Sequence, residues 1–263
     1  MLISQYEQKR VLIWGKTYPE MSTKYLETVC TAGVTEEGRP VRLYPIPYRY
    51  LEEKAKFDKY QWITARLMRK YEDPRPESFK IDCESIQAGD TIPPTKDEWG
   101  KRADIVFRDP SWQFDSVDDL HEAQRSHKTS LGVVIPKEFL GIGIVRRPNE
   151  DAETFKRKLN DWKARAAAAR AQMTLFEDTP SPEVKDLDYV DSRFSIKWLC
   201  NSPSCKSHTT QILDWEIVEL HRREGEDKAL KKLQSICNLS EYAIRLFLGN
   251  LLKHPMSFTV VGL

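Results

Sequence analysis

The strongest chemical constellation in the chain is Cys200-Asn201-Ser202-Pro203-Ser204-Cys205-Lys206-Ser207-His208. Two thiols separated by a proline-containing turn, with an imidazole three residues further on, can converge on one metal ion. Zinc takes four nitrogen or sulfur ligands in a tetrahedron, so three are local and a fourth must come from elsewhere. His221, Cys237 and His254 are the candidates, and His221 joins Cys200, Cys205 and His208 in the expected set. A protein group in the fourth place would make the zinc structural, whereas a water there would make it potentially catalytic. The spacing is not that of the common two-cysteine, two-histidine finger, and no second Cys-x-x-Cys pair accompanies it. The alternative reading is a surface turn with two free thiols and a solvated histidine.

A second chemistry is spread over Arg39 to Lys80. Eleven Lys and Arg residues outnumber six acids there, and Tyr44, Tyr48, Tyr50, Tyr60, Trp62 and Tyr71 are interleaved with them. Cations for phosphates and aromatic faces for bases are what a single-strand or shape-reading surface needs. Arg42, Arg49, Lys59, Trp62, Arg66, Arg69 and Arg75 are the candidate contacts. The competing reading is a half-buried sheet whose aromatic residues are core and whose cations are a solvated face.

Other patterns are excluded by context. Gly15-Lys16-Thr17 follows an apolar strand directly, and Arg10 stands where a phosphate-binding loop needs glycine. Gly141-Ile142-Gly143 lacks the third glycine of a dinucleotide fingerprint. Asp214 and Glu216 are two residues apart on an expected helix and do not share a face, so they do not form an acid–base pair. His121 and His127 are likewise not on one helix face. Asp73, Glu77 and Lys80 lack the spacing of a metal-dependent nuclease motif.

Gln172-Met173-Thr174-Leu175-Phe176 follows an alanine-rich helix and precedes acidic, proline-containing sequence that reads as an extended linker. These five residues resemble the bacterial sliding-clamp-binding peptide, in which a glutamine precedes a hydrophobic leucine–aromatic pair. The resemblance implies that Gln172 hydrogen-bonds at the rim of a clamp pocket while Leu175 and Phe176 fill its apolar cleft. The alternative is an ordinary linker whose Leu175 and Phe176 pack on the parent domain.

The elements that must position these groups read as an α+β chain. We expect a β-rich N-terminal domain over 1–148, a helix over 149–171, an extended linker over 172–187, and a smaller α+β domain over 188–263 carrying the Cys/Cys/His turn. Strands are expected at Arg10–Trp14, Tyr60–Met68 and Arg193–Leu199, and helices at Asp115–Arg125, Glu150–Arg170, Gln211–Arg223 and Asp227–Cys237. Residues 19–31 and 241–252 also read as helices, and 81–112 as irregular. Val41–Arg49, with two prolines, reads as an edge or extended segment. Leu131–Ile135 and Phe139–Val145 are expected as buried strands closing the first domain, and Ser257–Val261 as a last strand beside the one before Cys200.

With 41 basic and 40 acidic side chains the formal charge is +1, so any nucleic-acid surface must be local. Seven tryptophans among 10% aromatic residues are ample for a packed core. The opening residues have no basic segment followed by a long apolar one, and no apolar run reaches the ~20 residues of a membrane helix. A cytoplasmic protein is therefore expected, whose cysteines bind metal rather than form disulfides. The leading functional expectation is a DNA-associated accessory protein docked on the sliding clamp. The alternatives are a metal-dependent nuclease or nucleic-acid hydrolase of a phage-defence or mobile-element system, and a protein-interaction module without a nucleic-acid role.

Overall fold

The computed structural model describes residues 5–22, 26–146, 151–173 and 185–263. Its N-terminal half is built from β1 (Glu7–Lys16), β2 (Glu20–Ser22), β3 (Leu26–Thr35), β4 (Pro40–Ile46), β5 (Gln61–Arg69), β6 (Ser78–Ile81) and β7 (Gln87–Thr91), followed by helix α1 (Lys96–Val106). Strand β1 pairs with both β3 and β5, β3 with β4, β4 with β6, and β6 with β5, so five strands close into a barrel. All these pairs are antiparallel except β4–β6, in which Arg42 faces Ser78 and Leu43 faces Phe79. Strand β7 extends β5 and β2 extends β3 outside the closed ring. The order around the ring is a Greek key.

Alternation along the strands explains why this barrel closes. Val11 and Ile13 of β1, Val41 and Leu43 of β4, and Ile63, Ala65 and Leu67 of β5 fill its interior. The intervening Leu12, Trp14 and Trp62 point outward into a second core shared with α1 and the C-terminal half. A strand with apolar groups on both sides is buried on both, and β1 reads that way.

The C-terminal half contains β8 (Gln113–Phe114), α2 (Val117–His127), β9 (Leu131–Val134), β10 (Glu138–Arg146), α3 (Ala152–Met173), β11 (Ser192–Leu199), β12 (His208–Gln211), α4 (Trp215–Glu224), α5 (Glu226–Ile236), β13 (Leu246–Leu251) and β14 (His254–Gly262). One sheet runs β14-β13-β9-β8 and the other β10-β11-β12. Leu120 of α2, Ile196 and Trp198 of β11, Leu233 of α5, and Leu246 and Leu248 of β13 form the core between them. The mixed α+β class, with a β-rich first region and helices later, is as the sequence implies. Among the described residues no helix is long and apolar enough to cross a membrane.

Several local readings change. Within the expected helix 19–31, residues 20–22 form β2 and 26–31 begin β3, where the β-branched Thr28 pairs with β2, Val29 with β4, and Thr31 with both β1 and β4. Leu246–Leu251 is a strand between β9 and β14, and its continuous apolar run is what strand burial on both faces produces. Residues 81–112 contain β7 and α1. Strand β4 lies within the ring rather than at an edge: Pro40, Pro45 and Pro47 fall at its ends, and only Arg42 and Leu43 pair with β6. Strands β8 and β9 join β13, and β10 joins β11, so these pairings cross residue 148 instead of closing the first barrel. Strand β14 pairs with β13 rather than with β11, and meets the end of β12 through a bridge from Val260 to Ile212.

A buried ion pair locks the halves together. Lys59, before β5, holds Asp214 at 3.1 Å and Glu216 at 3.5 Å, and the Lys59 and Asp214 side chains are 14% and 4% exposed. Burial disfavours the Lys59 charge, but Asp214 and Glu216 outweigh it and raise its pKa. Asp214 also caps α4, accepting from Glu216 N–H at 2.9 Å. Asp214→Ala should therefore cost about 3 kcal/mol, because the buried ammonium keeps only the more distant Glu216 and α4 loses its cap, and Lys59→Met in the same chain should recover the part due to the ammonium. Urea unfolding of the two single variants and the double variant checks this. An additive cycle would mean that the pair carries no coupling.

Candidate metal centre and cleft

The metal-ligand trio occupies the β11–β12 hairpin. Trp198 and His208 face each other across it, their rings 4.9 Å apart, and Trp198 Nε1 donates to Thr210 Oγ1 at 2.9 Å. Trp198 is fully buried, so the hairpin is anchored in the C-terminal core while its turn projects outward. Cys205 N–H closes the turn on Ser202 O at 3.1 Å, and Ser202 Oγ donates to Asp118 Oδ2 of α2 at 3.0 Å. Cys200 Sγ and Cys205 Sγ each lie 3.2 Å from His208 Nε2, and the three ligand atoms fall within 4.8 Å of one another. A tetrahedral zinc with bonds of ~2.3 Å to sulfur and ~2.0 Å to nitrogen has a nitrogen–sulfur edge of about 3.6 Å. The trio can thus hold a metal ion after movements of a few tenths of an ångström.

Burial lowers the His208 pKa, which favours the neutral imidazole that ligates. Burial raises the Cys205 pKa, so the proton there is one that a metal must displace. His221, expected as a fourth ligand, is not in this group. It sits on α4 against Phe194 with Asp191 and Glu226, and those two acids are already paired with Arg146 at 3.1 and 2.6 Å. Cys237 packs against the C-terminal core, and burial pushes its thiol up to about 11.

The second site is a cleft of about 640 Å³ between the barrel and the C-terminal half. Its barrel wall is the outer side of β3 and β4 (Thr28, Cys30, Arg42, Tyr44), flanked by Tyr18 before β2 and by Lys70, Asp73 and Arg75 between β5 and β6. Gly249, Asn250, Lys253 and His254 of the β13–β14 hairpin supply the opposite wall. Arg75 is held in a bidentate pair by Asp73, at 2.9 and 2.6 Å, and reaches Asn250 O at 3.4 Å. Burial would raise the Asp73 pKa, yet hydrogen bonds from the Arg75 side chain and backbone and the Arg75 charge hold it at about 2. Arg42 donates to Cys30 Sγ at 3.2 Å and to Ser130 O at 2.9 Å. Gly249 makes this possible, because a Cβ at that position would stand 3.3 Å from Arg42 Nη2.

Of the candidate nucleic-acid contacts, the structure brings Arg42 and Arg75 into this cleft. The others lie elsewhere. Arg49 binds the buried Glu27 at 2.6 Å, Lys59 binds Asp214, and Trp62 is core with Arg10 4.5 Å over its ring. Arg66 is exposed and pairs with Asp82, and Arg69 donates to Ser78 O at 2.6 Å. Asn250, Lys70 and Lys253 were not among the candidates. Asn250 has one sequence signal, a polar residue after glycine inside the apolar run Leu246–Leu252. Gln172 falls in the last turn of α3, while Leu175 and Phe176 lie outside the described residues.

The trio predicts that purified protein carries one metal ion per chain, measured by mass spectrometry of the elements. Cys205→Ser and His208→Ala should each abolish it, and His221→Ala should leave it in place. Retention of the ion by both hairpin variants would move the site elsewhere.

Two family matches span most of the chain: residues 7–108 match "Domain of unknown function (DUF8758)", and residues 113–263 match "Domain of unknown function (DUF8757)". The first covers the barrel, β7 and α1, and the second starts at β8. No curated protein and no solved structure matches the chain. The DUF8757 match covers more than half of the sequence, including the hairpin with Cys200, Cys205 and His208, and the chain belongs to that family.

Proposed function

We propose that this is a nucleic-acid-binding accessory protein that holds a single strand, of DNA in the leading reading, in the cleft. One observation carries the reading: the outer side of β3 and β4, with the loops on either side, gathers Arg42, Lys70 and Arg75 with Tyr18 and Tyr44 in one groove. Cations to follow phosphates and aromatic faces to stack bases are the two requirements of sequence-tolerant single-strand binding. The barrel supports it further. Its ring order is first, second, third, fifth, fourth, with the third and fifth strands parallel. That is a five-stranded Greek-key barrel, and OB-type barrels bind oligonucleotides across strands two and three and the loops that flank them. A fold analogy alone is a weak warrant, and the weight rests on the charges being on that side. In this reading the metal of Cys200, Cys205 and His208 is zinc and pins the β11–β12 hairpin. The peptide Gln172, Leu175 and Phe176 tethers the protein to a bacterial sliding clamp.

Fluorescence anisotropy with a labelled dT12 tests the cleft. Binding should weaken as salt rises, with a log–log slope of about −0.7 per phosphate contacted. Lys70→Glu with Lys253→Glu should lower affinity at least tenfold and flatten that slope. Absence of binding at low salt, or binding indifferent to both changes, overturns the reading. Divalent-dependent cleavage of the oligonucleotide, abolished by His208→Ala, would replace it with the hydrolase, in which a water completes the trio.

The tether is tested separately by surface plasmon resonance on an immobilised bacterial sliding clamp. Wild type should bind with micromolar affinity, and Gln172→Ala with Leu175→Ala and Phe176→Ala should abolish it. A clamp that ignores the wild-type protein removes the docking role and leaves the cleft untouched.

A further inference from the structure

The floor of the cleft carries more positive charge than its neighbours compensate. Arg42 is 4% exposed, and its side chain donates to neutral acceptors, Cys30 Sγ and Ser130 O. Its Nε–H has no acceptor. Among the described residues no carboxylate forms an ion pair with it. Glu77, the acid that shares Ser130 with it, is occupied otherwise, accepting from Ser130 N–H at 3.0 Å and Ser130 Oγ at 2.8 Å. Asp73 is taken by Arg75. A buried guanidinium without a counter-charge is costly, and an anion entering from the cleft relieves that cost.

Across the floor, Asn250 is 1% exposed and shows the complementary deficiency. Its Nδ2 donates to Pro255 O at 2.7 Å, whereas Oδ1 accepts nothing. Its backbone N–H bonds Ser130 O at 3.1 Å, the same oxygen that takes Arg42, so the Asn250 backbone and the Arg42 side chain meet on one carbonyl. Neither orphan atom is open to solvent in the ligand-free fold, so a ligand reaches them only where the floor side chains turn toward the cleft. The occupant that fits is a molecule with an anionic group for Arg42 and an N–H or O–H for Asn250 Oδ1. Lys70 and Lys253 at the rim favour more than one negative charge, and the Tyr44 ring beneath Lys70, 5.6 Å away, adds an aromatic face. A cavity of about 640 Å³ admits such a ligand.

We infer that this floor is a nucleotide pocket, in which a phosphate seats against Arg42 and a base or sugar donor bonds Asn250. The inference rests on the cleft being the ligand site, as in the reading above, and adds which chemical end of the ligand it takes. The phosphate could belong to a free 5′-mononucleotide or to the 5′ end of a strand, and both present the same groups.

Calorimetry on the full chain with the four 5′-mononucleotides, their unphosphorylated nucleosides, and dT6 with and without a 5′-phosphate tests this. At least one mononucleotide should bind, with its nucleoside at least tenfold weaker. A tenfold preference for phosphorylated dT6 identifies the strand end as the source, and mononucleotide binding without that preference identifies the free nucleotide. Arg42→Met keeps the length of the side chain and removes the charge. It should abolish binding while leaving the ligand-free melting temperature unchanged or higher, whereas a purely structural arginine would lower it. Lys70→Gln, at the rim, should weaken binding several-fold without a change in melting. Undiminished mononucleotide binding by Arg42→Met, or no binding of any mononucleotide together with no preference for phosphorylated dT6, overturns the pocket. Strand binding that persists in Arg42→Met without an end preference overturns the pocket and spares the single-strand reading. Mononucleotide binding without any strand binding does the reverse.

Discussion

The structure depends on what happens to the outward side of β1. A five-stranded barrel satisfies its interior with Val11, Ile13 and their partners, and Leu12 and Trp14 are then left facing out. Trp14 solves this by stacking on Phe247 of β13 at 4.5 Å and on Trp112, just before β8, at 5.8 Å. An aromatic of this size hides ~150–250 Å² of surface, too much to leave in water. The backbone must come close for it. Gly15 allows this, since a side chain there would meet Val261 O at 2.8 Å. The barrel is thus a complete ring with an incomplete surface, and the second half of the chain is its cover.

From that contact the cleft follows. With β13 and β14 held against Trp14, their hairpin overhangs the adjacent side of β3 and β4, where the outward residues are Cys30, Arg42 and Tyr44 rather than large aliphatics. The same barrel therefore has an apolar side that is sealed and a polar side that is roofed but open. Lys16, the last residue of β1, lies beside Tyr48 and Phe57. Its amine lies 4.1 Å from the Tyr48 ring centre and donates to Phe57 O at 2.8 Å, and burial draws its pKa down to about 8.

How much of this could be read from the sequence varied with the distance over which information had to travel. The metal trio was legible because its three ligands sit within nine residues on one hairpin, and chain geometry alone brings them together. Helix α2 was legible for the same reason, and Ser116 caps it by accepting from Asp119 N–H at 3.1 Å. Strand β13 was not, because a strand covered on both sides loses the alternation that distinguishes it from a buried helix. His221 misled because an imidazole can be placed by a neighbouring carboxylate as well as by a metal. The meeting of Arg42 and Asn250 on Ser130 O was invisible, since nothing local in either segment refers to the other.

The roofed cleft also has a consequence in time. The barrel strands all lie within the first 81 residues, so the ring can form while the chain is still being made. The opposite wall comes from residues 249–261, and β13 must first find β9 and β14 before it can press on Trp14. A nascent chain therefore has the charged side of β4 long before it has a place to hold anything against it. Both walls of the cleft exist only once residues 249–261 are in place, and a chain that stops short of them has the barrel wall alone.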